Sequence, residues 1–133
     1  MEGNDAGDSA FIEMRELIAR LRSEEGCPWD REQTIATLAP HLREEVEEAV
    51  AEVENESWDA LKEELGDVFL ITLMMIRIAE ENDLFDMESV LRSGCEKIVR
   101  RHPHVFAGLK VDSVDDIVSN WRRIKEAEKR GKK

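Results

Sequence analysis

The sequence predicts an all-α fold, a bundle of about four to five helices. Three observations predict it. Apolar residues recur at helical spacing over long stretches, as at Phe11, Met14, Leu17, Ile18 and Leu21. No stretch alternates apolar and polar residues as a half-buried strand does. The helical stretches are mostly joined by short connections, a pattern that makes a helix bundle.

Each element follows from local signals. Residues 1–8 are small, polar and acidic and are expected to be disordered. Asp8 or Ser9 can cap a first helix that runs to about Leu21. Gly26, Cys27, Pro28, Trp29 and Asp30 break it and form a loop. A second helix is predicted over Pro40 to Val53, with the proline in its first turn. Ser57 fits the N-cap of a third helix, Trp58 to Glu81. Asp86 can cap a fourth, Met87 to Arg101, which His102-Pro103-His104 ends. Residues 105–112 read as irregular. Ser113 with Asp116 fits a capping box for a last helix to about Lys129, and the basic tail, with residues 130–133, is expected to fray.

The chain has 133 residues, so residues 9–129 are expected to form one domain with a real core. Charged residues make up 38% and the net charge is −12. A field of that sign disfavours nucleic acid and anionic membranes as partners, while a small anionic ligand stays accessible if cations neutralise it. Most of these charges read as a soluble surface. Cys27 and Cys95 form no CxxC pair and read as free thiols. The N-terminus does not resemble a signal peptide, and the longest apolar stretch, Val68 to Ile76, is too short to span a bilayer. A cytoplasmic location is expected.

The acids are not evenly spread. Glu44, Glu45, Glu47 and Glu48 cluster in the second helix, and Glu64 and Asp67 follow in the third. Glutamate-rich helices are usually solvated faces. Angular position, at about 100° per residue, argues otherwise here. Glu45, Glu48 and Glu52 border the apolar stripe of Leu38, Leu42, Val46, Ala49 and Val53, with Glu44 just outside it. On the third helix, Leu61, Leu65, Val68, Ile71, Thr72, Met75 and Ala79 define an inward arc. Glu64 falls inside that arc and Asp67 at its edge, while Lys62, Glu63, Gly66 and Arg77 take the opposite face.

An inward acid must be paired, protonated or bound to a cation. Few basic residues fall on the inward faces of these helices. Oxygen-only ligands suit Mg²⁺ or Mn²⁺ over zinc, and Mg²⁺ keeps positions open for water and phosphate. The pattern therefore points to metal-assisted chemistry on a phosphorylated substrate.

At this point the residues resemble a known family. EExxE at Glu44, Glu45 and Glu48, with ExxD at Glu64 and Asp67, resembles the metal motif of the MazG-type nucleoside triphosphate pyrophosphohydrolases. Residues 26–34, 96–106 and 120–125 resemble that family's other segments, in order. The resemblance implies an all-α bundle that dimerises, with Mg²⁺ held by Glu44, Glu45, Glu48, Glu64 and Asp67. It implies hydrolysis of a nucleoside triphosphate between the α and β phosphates, to monophosphate and pyrophosphate. It also implies that Lys97 and Arg101 contact phosphate, that Trp121 stacks on a base, and that Lys125 reaches a phosphate. Without the resemblance, Trp121 reads as core packing, and the Lys97, Arg100, Arg101 cluster as the charge complement of a helix C-terminus.

Trp29 and Trp58 read as packing residues. Phe69, Leu73 and Ile76 widen the apolar arc of the third helix beyond one layer of neighbours, which also predicts a homodimer or a dimer of dimers. Two other readings stay open: a non-catalytic acidic helical interaction module, and a narrower all-α pyrophosphohydrolase for dUTP or phosphoribosyl-ATP.

Overall fold

The computed structural model describes residues 5–132. Among them every regular element is helical: α1 (Asp5–Leu21), α2 (Pro28–Glu32), α3 (Ile35–Glu54), α4 (Trp58–Glu81), α5 (Met87–Arg101), α6 (Pro103–Phe106) and α7 (Val114–Gly131). The contacts divide the described residues into two compact units, the first ending at Met87 and the second beginning at Glu88.

In the first unit α3 packs along α4, and α1 against α4. α1 starts at Asp5, so residues 5–8 are helical and not disordered. Asp5 and Asp8 lie in the first turn, where acids complement the helix dipole; residues 1–4 lie outside the described residues. After α1 the chain folds back, with the Cys27 N–H donating to Leu21 O at 2.8 Å. Gly26 is required there, because a Cβ would collide with the carbonyl oxygens of Arg20 and Leu21.

The expected loop at residues 26–30 contains the one-turn helix α2, with Pro28 in its first turn. Arg22 holds this segment. Its Nη1 donates to Asp30 O (2.5 Å) and Gln33 O (3.2 Å), and its Nη2 to Glu81 Oε1 at the end of α4 (2.8 Å).

α3 begins five residues before the expected start. Thr34 caps it: the Thr37 N–H donates to Thr34 Oγ1 and the Thr34 N–H to Thr37 Oγ1. Pro40 consequently sits inside the helix, where one backbone bond is lost. α3 and α4 turn through Asn55–Ser57, with Glu56 in the left-handed region at φ 54°. Ser57 occupies the N-cap of α4 as expected, although its side chain makes no capping bond.

The core of this unit is Ile18, Leu38, Ala49, Leu73, Met74, Ile76, Ile78, Ala79 and Met87. It lies further along α4 than the expected arc. Leu65 is 49% exposed, and the exposed Thr72 donates its hydroxyl to Val68 O. The reason is α1, whose Ile12, Ile18 and Ala19 line one cavity with Leu73 and Ile76. Leu73 and Ile76 are therefore covered within the chain, and only Phe69 of the three wide-arc residues stays open, at 57% exposure.

In the second unit α5 ends at Arg101 as expected, and His102 occupies the N-cap position of the single turn α6 without a side-chain capping bond; α6 takes up the start of the segment read as irregular. Ser113 caps α7, its Oγ accepting from the Asp116 N–H. The reciprocal bond runs from the Asp112 N–H to Asp116 Oδ2, so only half of the expected capping box forms. α7 continues through Lys129 and Arg130 to Gly131 instead of fraying at Lys129.

Candidate metal centre

Glu45 and Glu48 are three residues apart on α3, so their side chains share one face, and Glu64 lies on the helix packed along it. The three carboxylates converge: one oxygen from each lies within 4.8 Å of the others. Glu45 Oε2 and Glu64 Oε2 are sealed from solvent and accept no hydrogen bond. Among the described residues, no ion pair reaches any of the three.

The electrostatics follow from that crowding. The Glu64 carboxyl is raised to about 7, first because its protonated form hydrogen-bonds to Glu48, then by burial, the bond to Glu45 and the charges of both neighbours. Glu45 is raised mainly by burial, with the charges of Glu48 and Asp67 adding to it, against a bond from Glu64 that lowers it. Crowded carboxylates with no basic partner beside them raise one another in this way. Three hard oxygen ligands, two of them with an orphaned buried oxygen, fit a divalent cation such as Mg²⁺.

The other expected acids are placed differently. Asp67 is exposed, yet close enough to raise Glu45. Glu44 is exposed and lies outside the convergent group. His41, one turn before Glu45, meets Trp29 edge-on at 6.0 Å between ring centroids. Trp29 is 53% exposed and Trp58 61%, so neither is the packing residue that was expected.

The residues expected to contact substrate all lie in the second unit. Lys97 is exposed on α5. Arg101 Nη2 donates to Glu128 Oε1 at 2.8 Å, and Arg100 Nε to Glu128 Oε2 at 2.6 Å. Trp121 is partly open, at 38%, and carries the Lys125 ammonium 4.6 Å above its ring. Trp121 is therefore not a core residue, and Lys125 is engaged by a cation–π contact. Glu128 was not singled out from the sequence, where it is one more acid in a charged C-terminal stretch.

The chain is similar to known proteins. Residues 33–106 match the pattern of the MazG nucleotide pyrophosphohydrolase domain. A Thermotoga maritima protein named nucleoside triphosphate pyrophosphohydrolase/pyrophosphatase MazG is 43% identical over 92% of this chain and 47% of its own length. The Escherichia coli nucleoside triphosphate pyrophosphohydrolase is 38% identical over 85% of this chain and 43% of its own. The Bacillus subtilis protein YabN, uncharacterized, is 42% identical over 90% of this chain and 24% of its own. The chain thus spans between about a quarter and about half of the length of these curated relatives. The crystal structure of a mazG-related protein from Thermotoga maritima superposes with a TM-score of 0.71 at 30% identity, covering 89% of this chain and 98% of that one.

Proposed function

The chain belongs to the MazG nucleotide pyrophosphohydrolase family, and from that premise we propose that it is a Mg²⁺-dependent enzyme, with Mn²⁺ as a substitute, that hydrolyses nucleoside triphosphates to monophosphate and pyrophosphate. The observation that carries this reading is the convergence of Glu45, Glu48 and Glu64 without a basic partner. Glu44 and Asp67 complete the ligand set in this proposal. Lys97, Arg101, Trp121 and Lys125 serve the substrate, as the sequence resemblance implies.

A divalent cation held by these acids supplies Lewis-acid activation of water and neutralises phosphate charge. The chain's own part is to orient and to move a proton. A carboxylate not committed to the cation takes the proton of the attacking water, whose oxygen bonds to the α-phosphorus as the α–β bridging bond breaks. Pyrophosphate leaves with that bridging oxygen. The sequence has no glycine-rich loop with a lysine to cradle β and γ phosphates, as γ-transferring enzymes do.

The test is a panel of ribo- and deoxynucleoside triphosphates, dUTP and phosphoribosyl-ATP included, incubated with Mg²⁺ or with chelator and resolved by anion exchange. Monophosphate and pyrophosphate in the Mg²⁺ samples alone are expected. Orthophosphate as the primary product would defeat the bond assignment, and no turnover of any substrate would return the chain to the class of interaction modules.

Self-association belongs to the same proposal. Leu65 and Phe69 on α4 and Leu17 on α1 leave apolar surface open within the first unit. A homodimer or dimer of dimers is expected by light scattering at micromolar concentration, and a monomer would refute it. Among the described residues no helix is long and apolar enough to cross a membrane. Cys27 and Cys95 are free thiols. A cytoplasmic location, with neither membrane nor nucleic acid as a partner, belongs to the same proposal and rests on the net charge of −12.

A further inference from the structure

Neighbouring residues of a helix point about 100° apart. Arg100 and Arg101, the last two residues of α5, nevertheless reach one carboxylate on α7. Glu128 accepts from Arg100 through one oxygen and from Arg101 through the other. Glu128 and Arg101 are both largely buried, with side chains 17% and 18% exposed, while Arg100 is 48% exposed. Two guanidiniums against one carboxylate leave a local excess of one positive charge, in a chain whose net charge is −12.

The donors do not balance. A guanidinium carries five N–H groups. Arg101 gives Glu128 a bond from Nη2, yet its Nε is sealed from solvent and meets no acceptor. A buried donor without an acceptor is unfavourable, more so on a charged group. Such a donor beside a satisfied one on the same guanidinium marks a place for an acceptor that comes from outside the chain.

We propose that Glu128 is a positioning residue that holds the Arg101 guanidinium by one nitrogen, so that its remaining donors meet a polyphosphate ligand already oriented. The proposal rests on the reading above that Arg101 contacts phosphate. An unheld arginine loses rotamer freedom when it binds an anion, and a held one loses less. Arg100 anchors the other oxygen of Glu128 and keeps the carboxylate in place. The Glu128 carboxyl is held down at about 2, by Arg101 first and Arg100 second, so it stays ionised at any working pH. A carboxylate in this place could instead compete with phosphate for the guanidinium, and the two roles have opposite signs.

The experiment measures binding of inorganic tripolyphosphate to the intact protein by calorimetry, with KM, kcat and melting temperature for the same variants. Glu128→Gln keeps the length but loses the charge and leaves one amide oxygen for two arginines. Ordering one arginine corresponds to at most about a tenfold change in affinity. Tripolyphosphate is expected to bind about five- to tenfold more weakly to Glu128→Gln, with KM rising by the same factor and kcat within about twofold. Arg100→Gln, on an exposed side chain, is expected to weaken binding in the same direction by about two- to threefold. Tighter binding in either variant would make Glu128 a competitor and overturn the proposal. Unchanged affinity with a lowered melting temperature would make it a structural strut, with the same consequence. Arg101→Gln separates the two layers. If it loses tripolyphosphate while Glu128→Gln does not, the positioning role fails and the phosphate reading of Arg101 survives. If Arg101→Gln binds like wild type, both fail.

Discussion

Glu64 and Glu128 are the same side chain in opposite circumstances. On α4, Glu64 faces Glu45 and Glu48, and its carboxyl is raised to about 7. On α7, Glu128 faces Arg100 and Arg101, and its carboxyl is lowered to about 2. In the second cluster the counter-charge of the carboxylate comes from the chain itself, through Arg100 and Arg101. The first is a set of hard ligands whose counter-charge the chain does not supply. Burial does not separate the two, since each is partly covered. What separates them is whether the opposing helix presents acids or guanidiniums.

The sharpest way to break that contrast is to remove one ligand without changing its shape. Glu48→Gln and Asp67→Asn should each lower turnover by about a hundredfold or more, the scale of losing one well-placed electrostatic element. Glu54→Gln, at an exposed position near the end of α3, should stay within about twofold. Rates for the three variants, measured by pyrophosphate release, decide it. Equal rates for Glu48→Gln and Glu54→Gln would reduce the cluster to another solvated face.

Cation binding should show in stability as well. With Mg²⁺ at about a hundredfold excess over its Kd, mass action contributes about 2.7 kcal/mol. In a chain of this size that raises the melting midpoint by several degrees. Glu64→Gln should lose most of that rise, yet melt no lower than wild type in chelator, because one of the crowded acids has become neutral. Identical midpoints for wild type with and without Mg²⁺ would count heavily against the site.

A smaller effect comes from pH in the absence of metal. Glu64 binds its proton more tightly in the folded chain, about 7 against 4.5 unfolded. Its contribution to stability is therefore complete below about pH 4.5 and is lost as pH rises through 7. Glu128 runs the other way: its contribution is present above about pH 4.5 and is lost only as pH falls towards 2. Between pH 5 and 8 the first cluster titrates and the second does not. Chelated wild type should lose stability across that window relative to Glu64→Gln, and urea titrations of the pair at both ends would measure the difference. A constant difference between the two proteins would mean that the acids are not coupled.

α4 and α5 run over the residues expected from sequence, Trp58–Glu81 and Met87–Arg101, because long apolar periodicity and flanking breakers are both local signals. α2 was missed for a reason outside its own residues, and the start of α3 for an unusual local cap. The α2 segment is held by Arg22, and α3 is capped by a Thr34–Thr37 pair instead of the Ser/Thr–Glu/Gln pattern that marks a capping box in sequence. The shared face of Glu45 and Glu48 and the inward turn of Glu64 were legible because 3.6 residues per turn converts spacing into direction.

The sequence by itself determined the all-α class, the positions of the long helices and the helix faces that carry the acids, since periodicity, capping and turn residues act over a few positions. It carried no sign of Glu128. That residue stands 27 and 28 positions from the arginines it joins, and Glu126, two positions before it, looks no different from it. Only tertiary structure decided which acid meets a guanidinium and which meets another acid, because that depends on how helices far apart in the chain come to face each other. The same holds for the covering of Leu73 and Ile76 by α1 and the exposure left at Phe69. A helix's own pattern states how wide its apolar arc is, while the packing of its neighbours sets how much of that arc is buried.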